Sequence, residues 1–132
     1  MLIYELLNCF FKEKIAGDCD SEIKKYYTTC FNRFLVYIEF YYFHEDYTIW
    51  LADIKKIMVS DFCVFQYDNL VDTVELNPLK DISPFARISA IAEANSIIEG
   101  LRDILYFAFE KGYIEPFEIK LYELDAVNSK VL

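Results

Sequence analysis

Residues 83–112 constrain the fold more than any other stretch, because both ends of a long helix are spelled out there. Ser83 is a type that caps a helix N-terminus, and Pro84 suits a first helical position, where a missing N–H leaves no bond unmade. Gly112 supplies the left-handed residue that commonly ends a helix. Between them Ile91, Ala94, Ile97, Ile98, Leu101, Ile104, Leu105 and Ala108 recur at three- and four-residue steps. That stripe is too wide for a two-stranded coiled-coil seam and suits a helix covered by neighbours. A long central helix over residues 84–111 is therefore expected. Gly100 inside it costs about 1 kcal/mol against alanine, so it is expected to admit a close neighbour, an aromatic side chain from the second or third helix.

The rest of the chain reads as elements packed around that helix. Leu2 to Ile15 carries a broad apolar stripe and stops at Ala16-Gly17. A second helix begins near Asp20 or Ser21, with Glu22 in its first turn, and runs to about Phe43 with Ile23, Tyr27, Cys30, Phe34, Leu35, Ile38 and Tyr42 inward. The run Phe40-Tyr41-Tyr42-Phe43 covers every direction around a helix, so some of its rings must be exposed or meet another chain. Asp46 can cap a third helix to about Val59, with Ile49, Trp50, Ile54, Ile57 and Met58 inward and Lys55 and Lys56 outward near its C-terminus. Residues 62–76 read as helix or as two short strands, and helix is favoured. Asn77-Pro78 ends that element. Pro116 can open a last helix to about Asn128, although Phe117, Ile119 and Leu121 alternate as a strand would over 117–122.

With 12 Phe and 11 Tyr against 3 Gly and 3 Pro, few long elements are expected rather than a turn-rich sheet protein. The fold class expected is all-α: one domain over residues 1–132, a bundle of five to six helices, with minor β content allowed only at 62–76 and 117–122. A chain of 132 residues can bury roughly two-thirds of the surface its unfolded form exposes, enough for an independent core. The aromatic excess exceeds what such a core usually holds, which puts rings at the surface where they favour partner contacts. AT-rich coding would produce the same excess without function.

Charge narrows the partners. The net charge is −9, and residues 61–132 hold thirteen acidic side chains against six basic, while residues 1–60 hold nine against seven. Affinity for phosphate rests on Lys and Arg, so direct binding to nucleic acid or an anionic membrane is disfavoured and a basic protein partner is favoured. Cys9, Cys19, Cys30 and Cys63 form no C-x-x-C pair, and the N-terminal stretch lacks the basic start of a secretory signal. Reduced thiols in the cytoplasm are expected. The most apolar run, residues 34–43, is interrupted by Glu39 and too short to span a bilayer.

Catalytic equipment is sparse. His44 is the one histidine and sits in a polar break between helices, so it cannot be matched to a nucleophile at any recognised spacing. The cysteines are too widely spread for a zinc site and read as small buried hydrophobes. Asp103 with Glu118-Ile119-Lys120 has the residue types of a metal-dependent nuclease, but Asp103 lies within a helix. Three isolated glycines form no phosphate-binding loop. No catalytic residue, cofactor or metal is expected.

What remains is carboxylate patterning. Asp68, Asp72 and Glu75 fall at i, i+4 and i+7 on one helix face, with no basic residue between Lys56 and Lys80. Glu115, Glu118, Glu123 and Asp125 form a second patch, and Tyr41 and Tyr42 supply exposed rings. Spaced carboxylates on a rigid helix can imitate phosphates in a basic groove. A solvated acidic face keeping a ring-rich protein soluble is the plainer account. The function expected is a non-enzymatic acidic module that blocks a basic partner such as a nuclease or toxin, in the manner of an immunity protein, an antitoxin or a phage-encoded anti-defence inhibitor. The alternative is a structural or regulatory bundle that self-associates through residues 40–43.

Overall fold

The first residues pair before they coil. In the computed structural model, which describes residues 1–15, 21–43, 48–75 and 84–121, Met1 O accepts from Leu51 N–H at 2.9 Å and Ile3 N–H donates to Ile49 O at 2.9 Å. These bonds make a single antiparallel bridge between Leu2 and Trp50. The first helix, α1 (Ile3–Lys14), thereby gains a partner for one of the N–H groups that every helix start leaves unpaired. Glu5 Oε2 accepts from Leu2 N–H at 3.1 Å, half of a capping box, since Leu2 has no side-chain acceptor to complete it.

Next come α2 (Ser21–Ile38) and a π-helical turn (Glu39–Phe43) that continues it. A 3-10 turn (Leu51–Asp53) follows, then α3 (Lys56–Glu75) and α4 (Pro84–Glu110). The described residues are therefore all-α, with four α-helices and no strand. The five to six helices expected from the sequence are not reached among them. The helix expected over 46–59 is replaced at 48–55 by an extended segment and the 3-10 turn, because Ile49 and Leu51 backbone groups are engaged by the N-terminus. Residues 62–75 are helical, which removes the strand reading there. Residues 116–121 form no regular element, neither the expected helix nor a strand. Ser83, Asn77-Pro78, Asp46 and residues 122–128 lie outside the described residues.

Packing joins α4 to each of α1, α2 and α3, and α2 to α3. Ile97, Ile98, Leu101, Ile104, Leu105 and Ala108 of α4 are buried against Ile3, Leu6 and Phe10 of α1, Phe31 and Phe34 of α2, and Val59, Phe62 and Cys63 of α3. Phe34 and Phe62 meet edge to face at 5.3 Å, and Phe10 meets Phe107 at 5.7 Å. Ile119 seats residues 116–121 against the same core, its N–H donating to the Tyr106 hydroxyl at 3.2 Å.

Pro84 opens α4 as expected, and a Schellman motif closes it: Tyr113 N–H reaches Ala108 O at 2.9 Å and Gly112 N–H reaches Phe109 O at 3.0 Å. Gly112 has φ +72, which a side chain would disfavour. Gly100 sits where α4 crosses α2. A Cβ there would lie 2.5 Å from Cys30 Sγ and 3.1 Å from Tyr26 Cζ, so the expected aromatic neighbour is present and a thiol is closer still.

Several inward assignments are corrected. Ile23, Trp50 and Ile57 are exposed, whereas Phe31, absent from the expected stripe, is fully buried. Lys56 opens α3 instead of closing a helix, an unfavourable end for a cation, and Lys55 Nζ donates to Ala52 O at 3.2 Å across the 3-10 turn.

Candidate partner-binding surface

Where α2 passes into the π-helical turn, the extra residue per turn lets the four rings of a five-residue stretch split between core and solvent. Tyr42 and Phe43 turn inward to half-buried positions, while Phe40 is 69% exposed and Tyr41 50%. Val36, one turn earlier, is 66% exposed. Across from them α3 presents Phe65, while the exposed Val64 lines a different groove. Ring centroids lie 4.7 Å apart for Tyr37 and Tyr41, 4.8 Å for Phe40 and Tyr41, and 5.1 Å for Tyr37 and Phe65. The result is a continuous aromatic ledge with a groove of about 620 Å³ along it.

Beneath the ledge lies Gln66, the one buried polar side chain of its kind among the described residues at 4% exposure. Its Oε1 has no hydrogen-bond partner among the described residues. A buried carbonyl left unmatched costs about 1–3 kcal/mol, so this position is not optimised for stability. Val59, Phe62, Cys63 and Gln66 follow the i, i+3, i+4, i+7 spacing of a buried helix face. That signal was available in the sequence, and the polar fourth member obscured it. Val36, Phe65 and Gln66 are thus surface and groove residues that sequence reasoning missed.

The acidic candidates are only partly gathered. Asp68 and Glu118 line one groove of about 570 Å³ between α3 and residues 118–121, but Lys56 and Lys120 line it too. Lys120 Nζ stands 4.0 Å from Glu118 Oε2. Glu115 lies on a neighbouring groove beside Lys55 and Lys56. Chain segments distant in sequence therefore bring cations into a face that reads as purely acidic along α3. Asp72 and Glu75 fall within α3, with side chains outside the described set; Glu123 and Asp125 lie outside the described residues, as does His44.

Much of the tyrosine content has an internal use. Tyr4 donates to Glu39 at 2.7 Å, Tyr27 to Asp103 at 2.9 Å, Tyr26 to Ser96 O, Tyr42 to Asp61 and Tyr67 to Asn95. Each hydroxyl ties one element to another. The Asp61 carboxylate beside Tyr42 holds that phenol protonated and pushes it up to about 12. Burial, then the Asp103 carboxylate, does the same for Tyr27, also to about 12. Tyr42, expected to contact a partner, is thus held by Asp61, and Tyr41 is the freer ring.

Two crossed ion pairs join the C-terminal ends of α1 and α4: Lys14 with Glu110 at 2.9 Å and Lys111 with Glu13 at 2.6 Å. They lower the Glu110 carboxyl and raise the Lys111 ammonium. Asp103 faces a groove shared with Tyr27 and Lys14, whereas Glu118 and Lys120 line a different one, so the nuclease-like residue set is not assembled. Among the described residues no three of His, Cys, Asp and Glu stand close enough to hold a metal ion. Burial raises the thiols of Cys30 and Cys63, the latter to about 11.

The described residues thus form four α-helices, and the apolar ledge is the most distinctive feature of their surface. No described helix is long and apolar enough to cross a membrane. Comparison with protein-family models, with curated proteins and with solved structures yields no match.

Proposed function

We propose that this protein is a non-enzymatic binding module that docks a basic protein, such as a nuclease or toxin, and blocks it. In this reading α4 is the central helix on which the binding face is mounted, and the module works in the cytoplasm, where its thiols stay reduced. The observation that carries the proposal is the ledge of Val36, Phe40, Tyr41 and Phe65, exposed on the surface of a chain with net charge −9. Exposed apolar patches of this kind mark interaction sites, and aromatic rings dominate the energetics of such contacts. The carboxylates supply the long-range attraction: Asp68, Asp72, Glu75, Glu115, Glu118, Glu123 and Asp125 would raise the association rate with a basic surface. The cations at Lys56 and Lys120 divide that acidity, which shifts the weight of the contact from phosphate mimicry to ring burial.

Self-association through the same ledge is the second reading, favoured by its apolar character. Two copies each carrying −9 repel, so the basic partner is preferred. The test is capture with the full tagged chain, followed by a salt titration of the isolated complex and the Phe40→Asp, Tyr41→Asp variant. A complex at least ten-fold weaker at high ionic strength and lost in the variant supports the module. A salt-insensitive complex, or sedimentation showing only a dimer that the variant dissolves, refutes it.

A further inference from the structure

Arg33 stands out in a chain rich in carboxylates because it meets none of them. It is exposed on α2 and is the one charged side chain, among the described residues, that lines the groove along the aromatic ledge. It also borders a second groove with Glu22 and Glu93, yet it makes no ion pair with any described residue. Carboxylates close to the rings in sequence are engaged elsewhere. Glu39, next to Phe40, accepts from Tyr4 at 2.7 Å, and Asp61, one turn before Phe65 on α3, accepts from Tyr42. The groove therefore has two chemically distinct ends. Thr29, Asn32 and Arg33 make a polar, cationic end; Val36 and Phe40, one and two turns further along α2, make an apolar end about 10 Å away at the helical rise of 1.5 Å per residue.

We infer that this groove receives an amphipathic helix of the partner protein, its apolar side chains seated on Val36, Phe40, Tyr41 and Phe65 and a carboxylate about two turns away paired with Arg33. The groove positions 29, 32–33, 36 and 40 of α2 recur at three- and four-residue steps, a ridge of the kind against which another helix packs. Charge selects the polar end of the occupant. A guanidinium takes a carboxylate through two parallel N–H bonds and repels a lysine or arginine set beside it. Two copies of this chain meeting ledge to ledge would bring two Arg33 side chains and no groove carboxylate into the contact. The inference rests on the binding-module reading above and adds an acidic, apolar helix to a partner that is basic elsewhere. One variant separates the two. Arg33→Glu makes the chain two charges more acidic, which strengthens a contact driven by overall charge and weakens one that pairs Arg33 with a carboxylate.

The test uses the full chain and fluorescein-labelled, alanine-based helical peptides with Glu, Leu and Trp at i, i+4 and i+8, in this order and in reverse so that both orientations are sampled. Fluorescence anisotropy gives the affinities. The expected result is saturable binding of one order, weakened roughly five-fold when the peptide Glu is replaced by Gln. Arg33→Gln should erase that difference, and Arg33→Glu should prefer a Lys peptide to the Glu peptide. Phe40→Asp with Tyr41→Asp should abolish binding of all of them. Absence of saturation by either order, equal affinity for the Glu and Gln peptides, or a difference that survives Arg33→Gln would each overturn the inference. So would sedimentation of the chain alone showing a dimer that Phe40→Asp dissolves. A captured basic partner that needs Phe40 and Tyr41 but binds Arg33→Glu more tightly than the parent overturns the acidic helix and leaves the binding module standing.

Discussion

Replacing Gly100 with alanine tests the closest helix crossing in the fold. Taken alone, the change should help, because glycine in a helix interior is about 1 kcal/mol worse than alanine. The crossing reverses the sign. The new Cβ would meet Cys30 Sγ at 2.5 Å and Cys30 Cβ at 3.0 Å, well inside van der Waals contact, and Tyr26 Cζ at 3.1 Å. Neither neighbour yields freely: Cys30 is buried, and the Tyr26 hydroxyl is bonded to Ser96 O of α4 itself. Overpacking of this kind costs about 1–3 kcal/mol, and with backbone-tethered atoms on the far side the upper part of that range applies. The net expectation for Gly100→Ala is a loss of about 1–2 kcal/mol, or roughly 3–10 °C in Tm for a chain of this length. Thermal and urea unfolding read it directly. Cys30→Ala removes the nearest atom, so the double variant should recover about 1 kcal/mol of coupling in a mutant cycle. A Gly100→Ala protein as stable as the parent, or a coupling below about 0.5 kcal/mol, would refute the close approach of α2 and α4.

Three further outcomes follow from the site chemistry. Tyr27 and Tyr42 titrate near 12 in the folded chain against 10.0 when free, so folding favours their protonated forms. Their contribution is fully present below pH 10 and is lost as pH rises from 10 to 12, which urea titrations across that window should show as falling stability. Tyr42→Phe should flatten part of that slope and cost about 1 kcal/mol at neutral pH by removing the donor to Asp61. Cys30 and Cys63, raised by burial, should resist alkylation at pH 8 in the native protein and label at once in denaturant, as mass spectrometry of digested peptides would report.

The candidate surface was only half legible from the residue string. Tyr41 was identified because a four-ring run cannot be buried on all sides of a helix. Phe65 and Val36 were not, because each is one apolar residue in an otherwise plausible stripe, and their exposure depends on how α2 and α3 face one another. The acidic stripe on α3 looked free of cations since Lys56 and Lys120 are far from Asp68 in sequence. The segment 118–121 returns Lys120 to its side, and Lys56 lines the same groove.

The sequence by itself determined the α4 boundaries, the all-α class and the tight crossing at Gly100. Those features follow from local rules: Pro without its N–H at a helix start, Gly at positive φ at a helix end, and apolar spacing near 3.6 residues. Only the tertiary structure decided the stretch from Thr48 to Asp53 and the tail from Pro116 to Leu121. In both, the backbone bonds with partners outside its own segment, Leu51 N–H with Met1 O and Ile119 N–H with the Tyr106 hydroxyl. Such long-range bonds outweigh a weak local preference for helix, and no periodicity within either segment encodes them.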